Sequence, residues 1–381
     1  MLFVKPMSYL NRKIILLTMN TIFTRPSALN RIQRSLHFKV GLLLGTILIG
    51  GLSTEAATWN TNANNANWGT NGNWTTPATA PNAVGAVADF LGVITANRNV
   101  NINGNFTVGT INFNDNNSYN LRSVSRTRVL TMDVSSGSAS INSLGGTGHA
   151  IGLGGNIEYV LGNNDLILNN TTANTTMTIA GGITGTGNLI KNGSGRVIYL
   201  KGPSSTTGYF TGNVTVNAGI LQLGTINDGT VEIGNSTTVT LNNGGTLLYF
   251  GNNQINNTAN LVMNGGTFSL NNFDQTFNNL NLSLSSNSTI DMGTGTGSVL
   301  NFTGTGTHAL GSTLTISNWS GLLSGGGTDQ IIFGTSLSAA FLSNVVWSTQ
   351  GITGARQLKA SRGLVNSHPV KSYLSQNLAA S

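Results

Sequence analysis

Acidic side chains are the groups in this sequence that could carry out catalysis, because paired carboxylates serve as general acid and base or as calcium ligands. The body of the chain, residues 57–350, holds ten acids, and the closest two in sequence are Asp228 and Glu232, four residues apart across a predicted turn. This pair is the candidate site of a polysaccharide lyase or hydrolase. The alternative is that the acids are scattered surface groups: Asp89, Asp115, Asp133, Glu158, Asp165, Asp228, Glu232, Asp274, Asp291 and Asp329. We favour the alternative and assign no catalytic residue.

Two histidines and one glycine-rich turn are the candidates for a metal site. His149 and His308 each lie among small residues, with no second histidine or carboxylate at the spacing of metal ligands. The turn at 325–329 is similar to a calcium-binding nonapeptide turn, but such sites need tandem copies and the chain has one. Cysteine is absent, which excludes disulfides and thiolate metal sites. We therefore expect no metal and no other cofactor.

Three of the five tryptophans, Trp59, Trp68 and Trp74, lie in a stretch otherwise made of Asn, Thr, Gly and Ala. One interpretation is a platform on which sugar rings stack, which makes these residues candidate glycan contacts. The other is a cap, in which the indole rings cover an open end of the fold that would otherwise expose core and strand edges. We favour the cap.

Arg122, Arg126 and Arg128 form the tightest basic cluster of the body. Strand alternation would place all three on one face. Three apolar residues of the same segment would fall on that face too, however, which indicates that a turn or bulge interrupts the strand. Contact with an anion or a polysaccharide is one interpretation, and a solvated strand edge is the one that we favour.

The formal net charge of +7 comes from the two ends of the chain. Residues 57–350 carry 7 basic and 10 acidic side chains, a net charge of −3. Nucleic-acid binding requires a broad basic face. The body lacks one, so we expect no nucleic acid among the partners.

Short bursts of alternating apolar and polar residues position all of these side chains. In the clearest stretch, 187–224, Val214 and Val216 alternate with polar residues, as do Leu221 and Leu223. A period of two indicates a strand with one buried face. Strands this short do not form independent hairpin sheets, but stacked in coils of roughly 20–25 residues they bury a continuous core.

The pattern favours an all-β solenoid over the two other all-β architectures, the sandwich and the barrel. Sandwich strands are typically about 5–6 residues long, and the bursts here are shorter, with more uniform turns. Asparagine pairs such as Asn163-Asn164 and Asn256-Asn257 suit turns because Asn tolerates left-handed backbone. Stacked in register, asparagines can also form a ladder along the axis.

Residues 1–56 have the features of an extended signal peptide. The 13-residue run at 40–52 is apolar, follows a basic leader and precedes small residues, with cleavage expected after Ala56 or Ala57. The alternative is an uncleaved anchor, which we do not favour because a membrane span needs about 20 residues. Translation could also begin at Met7 or Met19. We expect export, with the export machinery as a partner.

The stretch 187–224 also matches a known repeat. The matching positions are Gly187, Leu189, Lys191, Gly193, Gly195, Gly212, Val214, Val216, Gly219, Leu221, Leu223 and Gly224. In these residues the chain resembles the autotransporter-associated β-strand repeat of bacterial surface proteins, and the resemblance extends over most of 57–350. It implies a right-handed parallel β-helix that is secreted or held at the outer surface of a bacterial cell.

Proteins of this kind usually end in a membrane anchor, and residues 351–381 contain four basic residues, no acid and no apolar run. The anchor is therefore supplied elsewhere, or the chain is a truncated product that lacks it. The predicted organisation is a signal peptide at 1–56, a β cap with the first coils at 57–120, a repeat body at 121–345 and a basic, disordered tail at 346–381.

The first hypothesis for the function is a non-catalytic exported structural or surface protein, an adhesin-like passenger. Its neutral, Asn- and Thr-rich surface would contact polysaccharide, other cell-surface components or a second copy of itself. The second hypothesis is a polysaccharide lyase or hydrolase on the same fold.

Overall fold

The computed structural model describes residues 56–348, apart from 124, 147, 202–208, 228–229, 284–285, 296, 305, 310 and 322–326, together with a strand at 372–373. Nearly all of this part of the chain is strand and turn. The strands stack in parallel along one axis, which confirms the predicted parallel β-helix. The predicted signal peptide at 1–56 lies outside the described residues, except for Ala56.

The strands have two to seven residues each. In chain order they are β1 (Ala57–Trp59), β2 (Ala66–Asn67), β3 (Trp74–Thr75), β4 (Val87–Leu91), β5 (Arg98–Asn101), β6 (Phe106–Val108), β7 (Thr110–Asn114), β8 (Tyr119–Arg122), β9 (Arg128–Met132), β10 (Ala139–Gly145), β11 (Ala150–Ile151), β12 (Ile157–Leu161), β13 (Leu166–Asn170), β14 (Thr176–Ala180), β15 (Ile183–Gly185), β16 (Leu189–Asn192), β17 (Arg196–Leu200), β18 (Val214–Val216), β19 (Gly219–Leu223), β20 (Thr238–Asn242), β21 (Gly245–Tyr249), β22 (Asn260–Asn264), β23 (Thr267–Ser269), β24 (Gln275–Phe277), β25 (Leu280–Leu282), β26 (Ser288–Asp291), β27 (Val299–Phe302), β28 (Leu314–Ser317), β29 (Gln330–Phe333), β30 (Val345–Ser348) and β31 (Ser372–Tyr373).

Within the described residues, helix is confined to short segments. A 3₁₀ turn spans Asn71–Asn73 and the α-helix α1 spans Ala339–Ser343. Within the residues that the structure describes, no helix has the length and apolar character needed to cross a bilayer.

Three sheets form the sides of the solenoid. Sheet 1 has the strand order β25-β22-β20-β18-β16-β13-β10-β7-β4-β1-β3, and sheet 2 has the order β2-β5-β8-β11-β14-β17-β19-β21-β23-β26-β28-β30. Sheet 3 consists of two parts, β15-β12-β9-β6 and β24-β27-β29-β31. Between these parts the third side contains an isolated parallel bridge between Ile233 and Ile255. Consecutive strands such as β7, β8 and β9 thus lie in different sheets, and each sheet pairs one coil with the next.

Alternation along each strand decides which side chains fill the interior. In β13, Leu166 and Leu168 are buried whereas Ile167 between them is half-buried on the outer face. The register places Ile141 between Ile111 and Leu168 of the neighbouring coils, so apolar side chains stack in rows along the axis. Each inward residue is packed from the coils on both sides, which is how such short strands form a continuous core.

The length of a coil varies along the rod. The bonded side chains of Asn112 and Asn142 are 30 residues apart, whereas those of Asn242 and Asn264 are 22 apart. The prediction of roughly 20–25 residues per coil therefore agrees with the later coil and is too short for the early one. Most of the extra residues of the early coil lie on the third side, where 16 residues separate β8 from β10 but 10 separate β21 from β22.

Both ends of the stack carry an antiparallel strand. At the N-terminal end β3 pairs antiparallel with β1, and at the C-terminal end β31 pairs antiparallel with β29. The sequence prediction ended the repeat body at residue 345 and placed a disordered tail at 346–381. The solenoid instead continues through β30 to Ser348, because Val345 and Trp347 keep the inward alternation and pair with β28.

The residues that define the repeat have packing roles. The buried strand positions among them are Leu189, Lys191, Val214, Val216, Leu221 and Leu223. Its glycines, at positions 187, 193, 195, 212, 219 and 224, lie at corners where coils meet. A Cβ atom at Gly212 would lie 2.0 Å from the carbonyl oxygen of Gly187 in the preceding coil, so neither alanine nor a larger residue fits there. Gly193 adopts a φ of +76°, which residues with a side chain rarely adopt.

Candidate functional site

The three clustered tryptophans are packed in the interior beside the N-terminal end of sheet 1. Trp59, Trp68 and Trp74 are each exposed by 1% or less. The ring centroids of Trp59 and Trp68 both lie 5.0 Å from that of Trp74 in edge-to-face geometry, and all three rings lie within 5.7 Å of the Phe90 ring. Their indole N–H groups donate to main-chain carbonyl oxygens at 2.7–3.1 Å. These rings therefore present no face on which a sugar could stack.

Almost all of the described acids act as hydrogen-bond acceptors within the solenoid. Asp165 accepts from the N–H and the side-chain amide of Asn188 at 3.0 and 2.9 Å, 23 residues later in the next coil. Asp274 likewise accepts from the N–H of Val299 at 2.7 Å. The acids with at least one such bond are Asp89, Asp115, Asp133, Asp165, Glu232, Asp274, Asp291 and Asp329. These carboxylates satisfy turn and side-chain donors that would otherwise lose their partners.

The two candidate carboxylate sites are described only in part. Asp228 lies outside the described residues, and Glu232 is buried with one oxygen accepting from the N–H of Lys201. Asp329, the acid of the candidate calcium turn, is also buried and accepts from the N–H of Ser298 at 2.7 Å. Among the described residues, no group of three or more histidines and acids is placed to hold a metal ion.

A ladder of asparagine side chains runs along the outer face of sheet 1. The Nδ2 of Asn112 donates to Asp89 Oδ1 at 2.7 Å, and the Nδ2 of Asn142 donates to Asn112 Oδ1 at 2.8 Å. The later bonds are Asn169 to Asn142 at 3.3 Å, Asn217 to Asn192 at 2.9 Å, Asn242 to Asn217 at 2.7 Å and Asn264 to Asn242 at 2.9 Å. Asn169 and Asn192 are direct register partners. The predicted ladder is thus present, although it runs along a sheet face, from mid-strand positions such as Asn112 to strand ends such as Asn242, and not along the turns.

The ladder has a direction. Every one of these amides donates toward the N-terminal end of the rod, where the last acceptor is the carboxylate of Asp89. Aligned N–H groups create a positive end, and a negative charge is stabilising there for the same reason that an acid is stabilising at a helix N-terminus. Asp89 therefore complements the dipole of the ladder.

We expect Asn142→Ala to lower the free energy of unfolding by about 1–2 kcal/mol, because the bonds to Asn112 and from Asn169 are both lost. Urea denaturation followed by circular dichroism measures the change. Asn116→Ala is the matched control, since Asn116 is exposed on a turn and should change stability by less than about 0.5 kcal/mol. Equal losses in the two variants would contradict a stabilising ladder.

The arginine cluster is divided between two sheets. Arg122 ends β8 in sheet 2, Arg128 begins β9 in sheet 3, and exposed Arg126 lies in the turn between them. The turn or bulge that the irregular parity indicates is a corner of the solenoid, so the three arginines do not share one strand face. The Nη2 of Arg122 donates to the Oδ1 of Asn65 at 3.3 Å.

The two histidines of the body are packed against aromatic rings. His149 is fully buried and stacks on Phe113, with 4.9 Å between centroids and 10° between planes. Its Nδ1 accepts the N–H of Tyr119 at 3.2 Å and its Nε2 lies 2.9 Å from the carbonyl oxygen of Gly145. The neutral ring with its proton on Nε2 satisfies both bonds. Burial lowers the pKa of His149, and His308 stacks on a ring of α1 at 4.0 Å.

His149 should make the protein less stable as the pH falls below about 6.5. The pKa of His149 is lowered in the folded state, so the unfolded chain takes up a proton that the folded chain does not. The added slope is at most about 1.4 kcal/mol per pH unit. Urea midpoints between about pH 7.5 and 5.5 should fall more steeply for the native chain than for His149→Phe, which keeps the stacked ring. Parallel pH dependences would show that His149 is not the responsible group.

A groove crosses the corner between sheets 2 and 3. Its volume is about 440 Å³, and the loop and strand at 152–158 form one wall. Leu153 in that wall is 45% exposed. Glycines on both sides hold it outward: a Cβ atom at Gly152 would lie 1.9 Å from the carbonyl oxygen of Ala180, so the loop rests directly on the next coil.

Glu158 also lines this groove and differs from the other described acids. Within the part of the chain that the structure describes, its carboxylate forms no hydrogen bond and no ion pair. It lies on the outer face of β12, beside Val129 of the preceding coil. Its carboxylate is therefore available to a ligand.

The sequence pattern alone does not single out this groove. The one feature of the sequence that could indicate the groove is the segment 152–155, Gly-Leu-Gly-Gly. It places a large apolar residue between glycines, where no alternating strand pattern would bury it. No sequence signal separates Glu158 from the other acids, because the distinction is the absence of a partner in space.

Comparison with known proteins identifies no relative. No family model, no curated protein and no solved structure matches this chain. The resemblance of 187–224 to the autotransporter-associated β-strand repeat stays a prediction from sequence, and the strand pairing by itself establishes the parallel β-helix.

Proposed function

We propose that this protein is a non-catalytic, exported surface protein, an adhesin-like rod that presents the sides of its β-helix to a glycan or to another copy. The use of the acids carries the proposal. Eight of the nine described acids of the body accept hydrogen bonds that hold turns and coils together. Acid–base catalysis requires carboxylates that are gathered around a reacting bond and free to exchange protons. These eight carboxylates instead accept hydrogen bonds within the solenoid.

The outer face of sheet 1 supports the same function. Beside the asparagine ladder runs a second row of mostly β-branched residues, one from each coil. Its members in register are Thr110, Ser140, Ile167, Ile190, Thr215, Thr240 and Val262. The row carries no charge and repeats at about 4.8 Å. A neutral surface with one repeat unit per coil suits a partner that is itself repetitive, such as a polysaccharide or a second solenoid.

The proposed location is the outside of a bacterial cell, supported by the signal-peptide features of residues 1–56. The test is expression of the full chain in a bacterial host, followed by protease treatment of intact cells. We expect the chain to be cleaved from outside, and a Leu43→Arg, Leu44→Arg variant of the apolar run to be protected. Protection of the native chain would contradict surface location.

The non-catalytic part of the proposal is tested with the purified full chain and with pectin-like and alginate-like polymers. The expected result is that neither polymer releases reducing or unsaturated sugar ends. Release of such ends, abolished by Glu232→Gln or Asp228→Asn, would show that the protein is an enzyme.

A further inference from the structure

We propose that the groove between sheets 2 and 3 binds a short segment of a neutral glycan, with Glu158 accepting sugar hydroxyl groups and Leu153 packing on a sugar ring. The inference rests on the proposed surface function and gives it a ligand class and a place on the rod.

The shape of the groove suits an elongated ligand. Its volume of about 440 Å³ lies within the range of about 300–1,000 Å³ for small-molecule sites. It passes four successive coils, from Thr127 through the loop at 152–155 and Gly181 to Lys201. Since neighbouring coils are about 4.8 Å apart, the groove is about 14 Å long. A chain of a few sugar units lying along the rod fills such a groove.

The charges in the groove favour a neutral chain. Glu158 and Lys201 are the charged residues in its walls. The Nζ of Lys201 lies 4.1 Å from the centre of the Tyr209 ring, so the ammonium already has a partner, whereas Glu158 has none in the described structure. A bare carboxylate accepts O–H···O⁻ bonds, which are short and strong. It would repel the carboxylates of an acidic polysaccharide.

Leu153 supplies the apolar contact that a sugar ring needs. A pyranose has an apolar face of C–H groups and a rim of hydroxyl groups, and the groove offers an exposed leucine beside polar side chains. Asn156 and Thr127 also line the groove. The side-chain amide of Asn156 and the hydroxyl group of Thr127 can donate to the ring and hydroxyl oxygens of a sugar. Apolar contact combined with a few polar groups is the usual composition of a ligand site.

Isothermal titration calorimetry of the full chain tests the proposal. The probes are neutral cello-, xylo- and chito-oligosaccharides and an oligogalacturonate of equal length. We expect saturable binding of at least one neutral probe, weakened about tenfold by Glu158→Gln and about fivefold by Leu153→Ala. Leu91→Ala and Leu144→Ala are matched controls, because these leucines are 38% and 44% exposed and lie outside the groove. They should leave the affinity unchanged.

Binding of none of the neutral probes, or unchanged affinity in both groove variants, would overturn the proposal. Tighter binding of the oligogalacturonate would overturn the ligand class. Circular dichroism must show that the variants fold. If Glu158→Gln does not fold, Leu153→Ala still tests the groove. If adhesion to a polymer survives both substitutions, the proposed surface function is retained but its binding site lies elsewhere on the solenoid. Turnover of a probe would contradict the non-catalytic function itself.

Discussion

Trp68→Ala should lower the free energy of unfolding by about 3–5 kcal/mol and should unfold the N-terminal coils first. Trp68 is fully buried, with its ring centroid 5.0 Å from that of Trp74 and 5.7 Å from those of Phe90 and Phe106. Its Nε1–H donates to the carbonyl oxygen of Pro81 at 3.1 Å. Removing the indole leaves a cavity at the end of the stack, where a coil has a neighbour on one side only.

Hydrogen exchange followed by mass spectrometry locates the effect. Solenoid stability comes from contacts between neighbouring coils, so amides of β1 to β7 should lose protection while those of β20 to β23 keep it. Trp68→Phe is the control, because phenylalanine keeps most of the apolar volume, loses the bond to Pro81 and should cost about 1–2 kcal/mol. Loss of protection spread evenly along the rod would contradict the interpretation of the tryptophans as a cap.

Lys191→Met should lower the free energy of unfolding by about 3 kcal/mol. Lys191 occupies an inward position of β16, in register with Leu168 and Val216, and is fully buried. Its Nζ donates to two main-chain carbonyl oxygens of its own turn at 2.7 Å and to that of Ala218 in the next coil at 2.9 Å. Methionine fills a similar volume but leaves these buried carbonyls without the ammonium donor. Urea denaturation measures the loss, and Arg126→Met, at an exposed position, should cost less than about 0.5 kcal/mol.

The burial of Lys191 also predicts a dependence on alkaline pH. Burial lowers the pKa of Lys191 from 10.5 to about 8. Between these values the unfolded chain holds a proton that the folded chain has released, so the contribution of Lys191 to stability increases as the pH rises through this window. Burial raises the pKa of four tyrosines, which opposes this trend above about pH 10 because unfolded tyrosines then ionise. They are Tyr119, Tyr159, Tyr199 and Tyr249.

The difference between the native chain and Lys191→Met isolates the lysine, since both contain the same tyrosines. The stability difference should increase between about pH 8 and 9.5. A difference that stays constant with pH would show that the ammonium keeps its proton in the folded state, held by its three carbonyl partners.

Much of the fold follows from local patterns. The alternation of Leu166 and Leu168 with outward residues predicts a half-buried strand, and the structure contains that strand as β13. The glycines of 187–224 predict tight corners, and Gly212 lies where a Cβ atom would meet the preceding coil. The turn inside the arginine cluster was visible only as an irregular parity, because a corner and a bulge disturb the alternation in the same way.

The amino-acid sequence by itself determined that this chain forms a parallel stack of short strands, because a period of two and regularly spaced glycines are properties of neighbouring residues. Only the tertiary structure decided which acids are free. Asp165 accepts bonds from a residue 23 positions away, whereas Glu158 has no partner in the described structure and lines a groove. Those facts depend on which coils lie side by side, and coil length varies from place to place along the rod. A local sequence pattern does not predict contacts between residues so far apart in the chain.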